Sequence, residues 1–195
     1  MKKQSVKKGT VVIVSGPSGV GKSTICKEVV KRLKNTRLSV SVTTRPKSEK
    51  EVDGQDYWFI SEAQFRQRIN EGSLLEHAEV FGNFYGTPKD KVDEALQAGE
   101  TIILEIDVQG ARQIKAIYPT AVMIFILPPT KKQLAERMNL RGREDVQTAE
   151  KRLNGAGVEI AAAWQYYEHM VINDDLEQAV KEIVQIIKQS IGEKE

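Results

Sequence analysis

A chain of 195 residues, 40% hydrophobic and 29% charged, is long enough for one buried core with a small inserted subdomain. Its net charge of +2 spreads no basic field over the surface, so nucleic acid is not an expected partner. No apolar run nears the ~20 residues that span a bilayer, and a lone Cys26 excludes a disulfide framework and a cysteine metal site. The expectation is a protein of the reducing cytoplasm with no membrane partner. His77 and His169 are too scattered for a zinc site and read as structural.

In chain order, Lys2, Lys3, Lys7 and Lys8 form a solvated basic start. They precede Val11-Val12-Ile13-Val14, an apolar run of strand length that is too short for a signal peptide. Strands are predicted over 10–15, 101–106 and 121–127, with near-continuous apolar content that suits a parallel sheet covered on both faces. Helical spacing follows in Cys26, Val29, Val30 and Leu33. It recurs after the cap pair Thr130 and Gln133, with Leu134 and Met138 inward, and again near the end. There Asp174 and Glu177 offer a cap for the stripe Leu176, Ala179, Val180, Ile183, Val184 and Ile187.

Residues 38–87 break this βαβ rhythm. Leu38 to Val42 alternates as one half-open strand, and Tyr57 to Ile60 reads as another. A helix follows, capped by Ser61 and Gln64 and stopped by Gly72. A hairpin then spans Glu76 to Thr87, with Gly82-Asn83 as its two-residue turn. That turn pairs Phe81 with Phe84, Val80 with Tyr85 and Ala78 with Thr87. The chain therefore reads as an α/β fold with an inserted antiparallel subdomain.

Gly16-Pro17-Ser18-Gly19-Val20-Gly21-Lys22-Ser23 fits G-x-x-x-x-G-K-[ST], between a buried strand and an amphipathic helix. Its glycines let successive N–H groups turn toward phosphate oxygens, and the helix adds its positive end. Lys22 is placed to reach the β- and γ-phosphates, and the Ser23 hydroxyl is a magnesium ligand. The motif points to ATP or a similar triphosphate and leaves the acceptor open.

One hairpin face gathers Glu76, Ala78, Val80, Tyr85 and Thr87. A carboxylate there can accept from both N1–H and the 2-amino group of guanine, while adenine offers an acceptor at N1 and would be repelled. On the residues alone, an ordinary solvated hairpin face is the readier account. Farther on, Glu105 and Asp107 share a face at a strand end. Asp107 there suits magnesium through water or a helix cap. Arg137, Arg141, Arg143 and Arg152 surround a polar segment at 139–148, which suits a charged loop or mobile cations that close on a transferring phosphoryl group.

The stretches Gly16–Thr24, Ser39–Arg45, Asp53–Tyr57, Gly82–Thr87, Glu105–Gly110 and Val171–Asp175 make the chain similar to guanylate kinases over about residues 9–190. The resemblance implies a P-loop NTPase core with a parallel sheet flanked by helices (9–37, 88–136 and 168–190). It also implies an inserted GMP-binding subdomain (38–87) and a helical lid (about 137–167). The activity implied is γ-phosphoryl transfer from ATP to GMP with Mg2+. ATP would meet Gly16, Pro17, Ser18, Gly19, Val20, Gly21, Lys22, Ser23, Thr24 and Asn173, the last near the adenine. By the same resemblance Ser41, Arg45, Tyr57 and Tyr85 hold the GMP phosphate, and Glu76, Thr87 and Asp107 read the guanine. Lys22, Arg137, Arg141 and Arg152 act on the transferring group, and Arg143 has no counterpart.

The chain departs from that family after Arg45. Position 48 is Ser where a second arginine is usual, and Lys50 stands where glycine is usual. Either Arg45 works with the hydroxyls of Ser41, Tyr57 and Tyr85, or Lys47 or Lys50 supplies the missing cation. Two other classes share the P-loop. A non-catalytic guanylate-kinase-like binding module is disfavoured by the intact Lys22 and the lid arginines. A kinase for another nucleoside monophosphate is disfavoured by Glu76 beside Thr87.

Overall fold

The computed structural model describes residues 9–139 and 146–192, the side chains of 138–154 excepted. The elements are β1 (Thr10–Ser15), α1 (Lys22–Arg32), β2 (Thr36–Leu38), β3 (Val42–Thr43), β4 (Trp58–Phe59), α2 (Glu62–Asn70), β5 (Leu74–Val80) and β6 (Asn83–Pro88). They continue with α3 (Lys89–Gln97), β7 (Thr101–Glu105), α4 (Val108–Ile117), β8 (Val122–Leu127), α5 (Lys131–Asn139), α6 (Val146–Tyr166), β9 (His169–Ile172) and α7 (Leu176–Ser190).

A parallel sheet of order β2-β7-β1-β8-β9 carries the core, with β1 at its centre. Alternation along β1 divides its apolar side chains between two layers. Val12 and Val14 pack with Val29, Ile183 and Ile187 from α1 and α7. Val11 and Ile13 pack with Val92, Ile114 and Phe125 from α3, α4 and β8. Both faces are covered by helices, which is why these strands lack polar alternation. Truncating a fully buried side chain such as Ile13 to Ala would cost about 2–5 kcal/mol.

The insert is a smaller sheet of order β4-β3-β6-β5. It is mixed rather than wholly antiparallel, because β3 and β4 run parallel while β6 pairs antiparallel with both β3 and β5. The single strand expected over 38–42 is two strands in two sheets. Leu38 ends β2 beside β7, the Ser39 N–H reaches Ile103 O at 2.9 Å, and Val42 opens β3. Alternation there records a crossing between sheets, so the five residues share no common face.

Local chemistry sets most boundaries. Ser61 and Gln64 form the expected capping box of α2, and Gly72 adopts φ +63° after it. The Thr130 hydroxyl accepts from Gln133 N–H at 3.1 Å ahead of α5. Helix α7 is capped by Asp175, which accepts from Gln178 N–H at 2.8 Å, one residue later than the cap expected at Asp174. Leu176 is consequently exposed instead of lying in the buried stripe. Among the described residues no helix is long and apolar enough to cross a membrane.

The hairpin also differs from expectation by one residue in its turn. Val80 pairs with Asn83, Ala78 with Tyr85 and Glu76 with Thr87, so Phe81-Gly82 is the turn. Both turn residues have positive φ, +50° and +76°, as a type I′ turn requires. Gly82 takes its second central position, and Phe81 accepts the left-handed conformation at the first. Partners shift by two positions, which preserves the face, and Glu76 now lies directly across from Thr87.

Candidate active site

The loop from Gly16 to Gly21 joins the centre of the sheet to α1. Gly16, Gly19 and Gly21 all have positive φ, and at Gly16 a Cβ would stand 2.5 Å from the carbonyl oxygen of Ile126. Gly21 precedes α1 without a side-chain cap, so the first N–H groups of the helix face the loop's concavity. Lys22 Nζ donates to the carbonyls of Gly16 and Pro17 at 2.6 and 3.2 Å. Ser23 Oγ donates to Glu105 Oε1 at 2.7 Å, joining the start of α1 to the end of β7.

Across from this loop the small sheet closes a cleft of about 220 Å³. Gly16, Ser18, Gly19, Gly21, Lys22 and Ser23 form one wall; Ser41, Tyr57, Glu76 and Tyr85 form the other, and Glu105 and Asp107 lie between them. Lys27 of α1 and Asp56 of the insert make an ion pair at 2.8 Å beside this junction.

Glu76 is 3% exposed, and its Oε1 accepts from Thr87 Oγ1 at 2.7 Å. Burial pushes its carboxyl up, the Thr87 hydrogen bonds oppose this, and nearby Asp107 adds to the rise, to about 7. Helix α4 crosses directly behind it. His77 is tied to Gln113 through its N–H and carbonyl, and Gly110 sits so close that a Cβ would stand 2.9 Å from Glu76 Cδ. Asp107 caps α4 by accepting from Gly110 N–H at 2.8 Å, and it also lines the cleft.

Arg45 stands behind the second wall, with its guanidinium carbon 5.5 Å from the centre of the Tyr57 ring. It forms a two-pronged pair with Glu51, the shorter contact being 2.7 Å. Burial pushes Glu51 up, but hydrogen bonds from Arg45 and Ser48 with the Arg45 charge bring it down to about 2. Lys47 Nζ donates to the Glu51 carbonyl at 3.0 Å, and Lys47 and Lys50 are both exposed.

The family model described as guanylate kinase matches residues 8–190. The chain belongs to the guanylate kinase family. It is 48% identical over 180 residues to the guanylate kinase of Carboxydothermus hydrogenoformans, covering 92% of this chain and 88% of that protein. It is 45% identical over 184 residues to the guanylate kinase of Synechocystis sp., covering 94% and 96%. The crystal structure of guanylate kinase from Anaplasma phagocytophilum superposes with a TM-score of 0.79 at 33% identity, covering 94% of this chain and 86% of that one.

Of the twenty residues that the guanylate kinase resemblance picks out, eleven line this cleft, while Pro17, Val20, Thr24, Arg45, Thr87, Arg137 and Asn173 do not. Thr24 faces an outer groove of α1 beside Lys27. Asn173 is buried beneath the P-loop, where its Nδ2 donates to Val20 O at 2.7 Å and its carbonyl accepts from Arg137 Nη1 at 3.1 Å. Arg141 and Arg143 lie outside the described residues, as does the side chain of Arg152. Sequence reasoning missed Glu51, Gly110 and Glu159. Glu159 projects from α6 into the cleft, where burial raises its carboxyl against the lowering influence of Lys22. Only Gly110 carried a signal, as a glycine early in a helix with no turn to justify it.

Proposed function

We propose that the protein transfers the γ-phosphoryl group of ATP to GMP, giving ADP and GDP. The buried Glu76 carboxylate, held by Thr87 on the wall opposite the P-loop, carries this reading. It offers a carboxylate edge to a purine from a side chain that is 3% exposed. Thr87 and Asp107 complete the guanine site. Ser41, Arg45, Tyr57 and Tyr85 take the GMP phosphate. The nucleophile is a phosphate oxygen already ionised near neutral pH, so positioning and charge stabilisation suffice without a general base.

On the donor side, residues 16–24 cradle the ATP phosphates, and Lys22 leaves its loop carbonyls to meet the charge developing on the γ-phosphoryl group. Arg137, Arg141 and Arg152 close over that group from the lid. The core is 9–37, 88–136 and 168–190, the GMP-binding subdomain 38–87 and the lid about 137–167. Ser23 and Glu105 form a hydroxyl–carboxylate pair of hard oxygen donors suited to Mg2+. Among the described residues no group of three or more His, Cys, Asp or Glu side chains could hold a metal, which fits an ion retained chiefly by phosphates and water. When bound, the ion neutralises charge on the β- and γ-phosphates. The buried free thiol of Cys26 suits a reducing cytoplasm.

A coupled assay of ADP release with ATP and GMP, AMP, dTMP or UMP tests this. GMP should exceed the others by at least about 10²-fold in kcat/KM, since a wrong base leaves buried acceptors unpaired. Equal use of AMP would overturn the assignment.

A further inference from the structure

We propose that Ser48 is a positioning residue for the acceptor phosphate, acting through Glu51 to hold Arg45 in one orientation. The proposal rests on GMP being the acceptor. It concerns the position where this chain has a serine in place of the second arginine usual in the family.

Arg45 carries five N–H groups, and Glu51 and Pro46 engage three of them. Nη2 donates to Glu51 Oε1 at 2.7 Å, while Nη1 donates to Glu51 Oε2 at 3.1 Å and to the Pro46 carbonyl at 2.9 Å. Glu51 thereby occupies the end of the guanidinium fork. The Nε–H and the outer Nη2–H share the remaining edge, which has the spacing of two phosphate oxygens. The Tyr57 and Phe59 rings flank the group at 5.5 and 5.7 Å, and Tyr85 acts on it by charge and hydrogen bonding. Tyr57 and Tyr85 both line the cleft.

Glu51 can hold this arrangement only if it is itself fixed, and Ser48 fixes it. Glu51 Oε2 accepts from Ser48 N–H at 2.9 Å and from Ser48 Oγ at 2.8 Å. Three donors therefore converge on one oxygen of a carboxylate whose side chain is 14% exposed. An arginine at position 48 would instead offer Glu51 a second guanidinium and compete with Arg45. The serine gives up a cation and gains a braced, pre-oriented one, which lowers the ordering cost when phosphate binds. Lys47 donates its ammonium to the Glu51 carbonyl at 3.0 Å, on the same residue that braces Arg45.

Ser48→Ala keeps the N–H donor and removes the hydroxyl. At saturating ATP the GMP KM should rise about fivefold, the scale of one partly exposed hydrogen bond. kcat should stay within about twofold and the ATP KM should not move. Ser48→Thr should restore the GMP KM, and guanosine, which lacks the phosphate, should bind wild type and Ser48→Ala equally. On a Glu51→Ala background, Ser48→Ala should add nothing. Unchanged GMP KM in Ser48→Ala, an equal loss of guanosine binding, or full additivity with Glu51→Ala would each overturn the proposal. Wild-type protein inactive on GMP would overturn the acceptor assignment and this proposal together. An active wild type with a silent Ser48→Ala overturns this proposal alone.

Discussion

Thr87 Oγ1 donates to Glu76 Oε1 across the hairpin at 2.7 Å, and this bond leaves Oε2 of the same carboxylate against the start of α4. Thr87 is itself fully buried, so it fixes a group that water does not solvate. The carboxyl titrates near 7 because burial outweighs the Thr87 hydrogen bonds, with Asp107 adding repulsion. Its charged and neutral forms are thus present in about equal amounts at neutral pH.

GMP use should accordingly depend on pH through Glu76. Below about 7 the carboxyl is protonated and one acceptor becomes a donor facing a guanine N–H. kcat/KM for GMP should then fall by up to about tenfold per pH unit, with the ATP KM unaffected. The GMP phosphate titrates near 6 as well, so Glu76→Gln is the control. At pH 8 that variant should lose about 1–3 kcal/mol of transition-state binding with GMP. Its deficit should shrink on acidification. A constant ratio of wild type to variant from pH 5.5 to 8 would remove Glu76 from guanine recognition.

The same shift makes a stability prediction. The folded carboxyl binds its proton more tightly than the unfolded one, whose ordinary value is 4.5. Between about 4.5 and 7 the folded state therefore holds more protons, and stability falls as pH rises through that window. Glu76→Gln lacks this loss. Relative to wild type it should gain up to about 3 kcal/mol between pH 4 and pH 8, read from urea unfolding at both values.

Gly110→Ala should damage the guanine site from behind. An added Cβ would stand 2.9 Å from Glu76 Cδ and 3.4 Å from Asp107 Oδ1. Glu76 has little room to yield, being buried and bonded to Thr87. The GMP KM should rise at least about tenfold with ATP KM unchanged. Melting temperature should change little, since Ala regains about 1 kcal/mol of helix propensity. Wild-type GMP kinetics in this variant would show that the carboxylate relocates freely.

Legibility in the sequence followed the range of the interactions. The P-loop, the caps at Ser61 and Thr130 and the buried strands are written in neighbouring residues, and they stand where expected. The hairpin face was readable because parity survives a shift of two, but its turn was not, since nothing in Phe81 announces a left-handed backbone. The run Leu38 to Val42 failed because alternation cannot say which sheet a strand joins. Glu51 was invisible for a related reason: its bonds to Arg45 and Ser48 form inside an aperiodic loop. The closest approach to Gly110 comes from Glu76, which is distant in sequence.

Lys22→Ala should lower kcat by about 10²–10³, the effect of losing one donor aimed at developing charge. The fold should be nearly untouched, because among the described residues Nζ is bonded to the carbonyls of Gly16 and Pro17 at the cleft surface. Equal melting curves with a kcat above a tenth of wild type would contradict the role given to this lysine.

The last prediction separates two roles for Asn173. By resemblance it lies near the adenine, in which case its side chain should matter only when ATP is bound. Its position argues for a role in the free protein as well. Asn173 is 7% exposed, its N–H donates to Leu127 O at 2.9 Å at the end of the sheet, and its Nδ2 holds Val20 O at 2.7 Å. It also fills the space beside Gly21, where a Cβ would stand 2.6 Å from Nδ2. Asn173→Ala would strand the Val20 carbonyl and loosen the loop, at a cost of about 1–3 kcal/mol. For a chain of this size, about 2 kcal/mol corresponds to a melting shift of about 4–8 °C without any nucleotide. The ATP KM should rise because the phosphate cradle is less ordered, while GMP binding measured without ATP should hold. The contact from Arg137 should persist, because it uses the backbone carbonyl, so kcat at saturating ATP should fall less than kcat/KM. Differential scanning calorimetry of the nucleotide-free variant decides: an unshifted melting temperature with a raised ATP KM would assign Asn173 to the adenine alone.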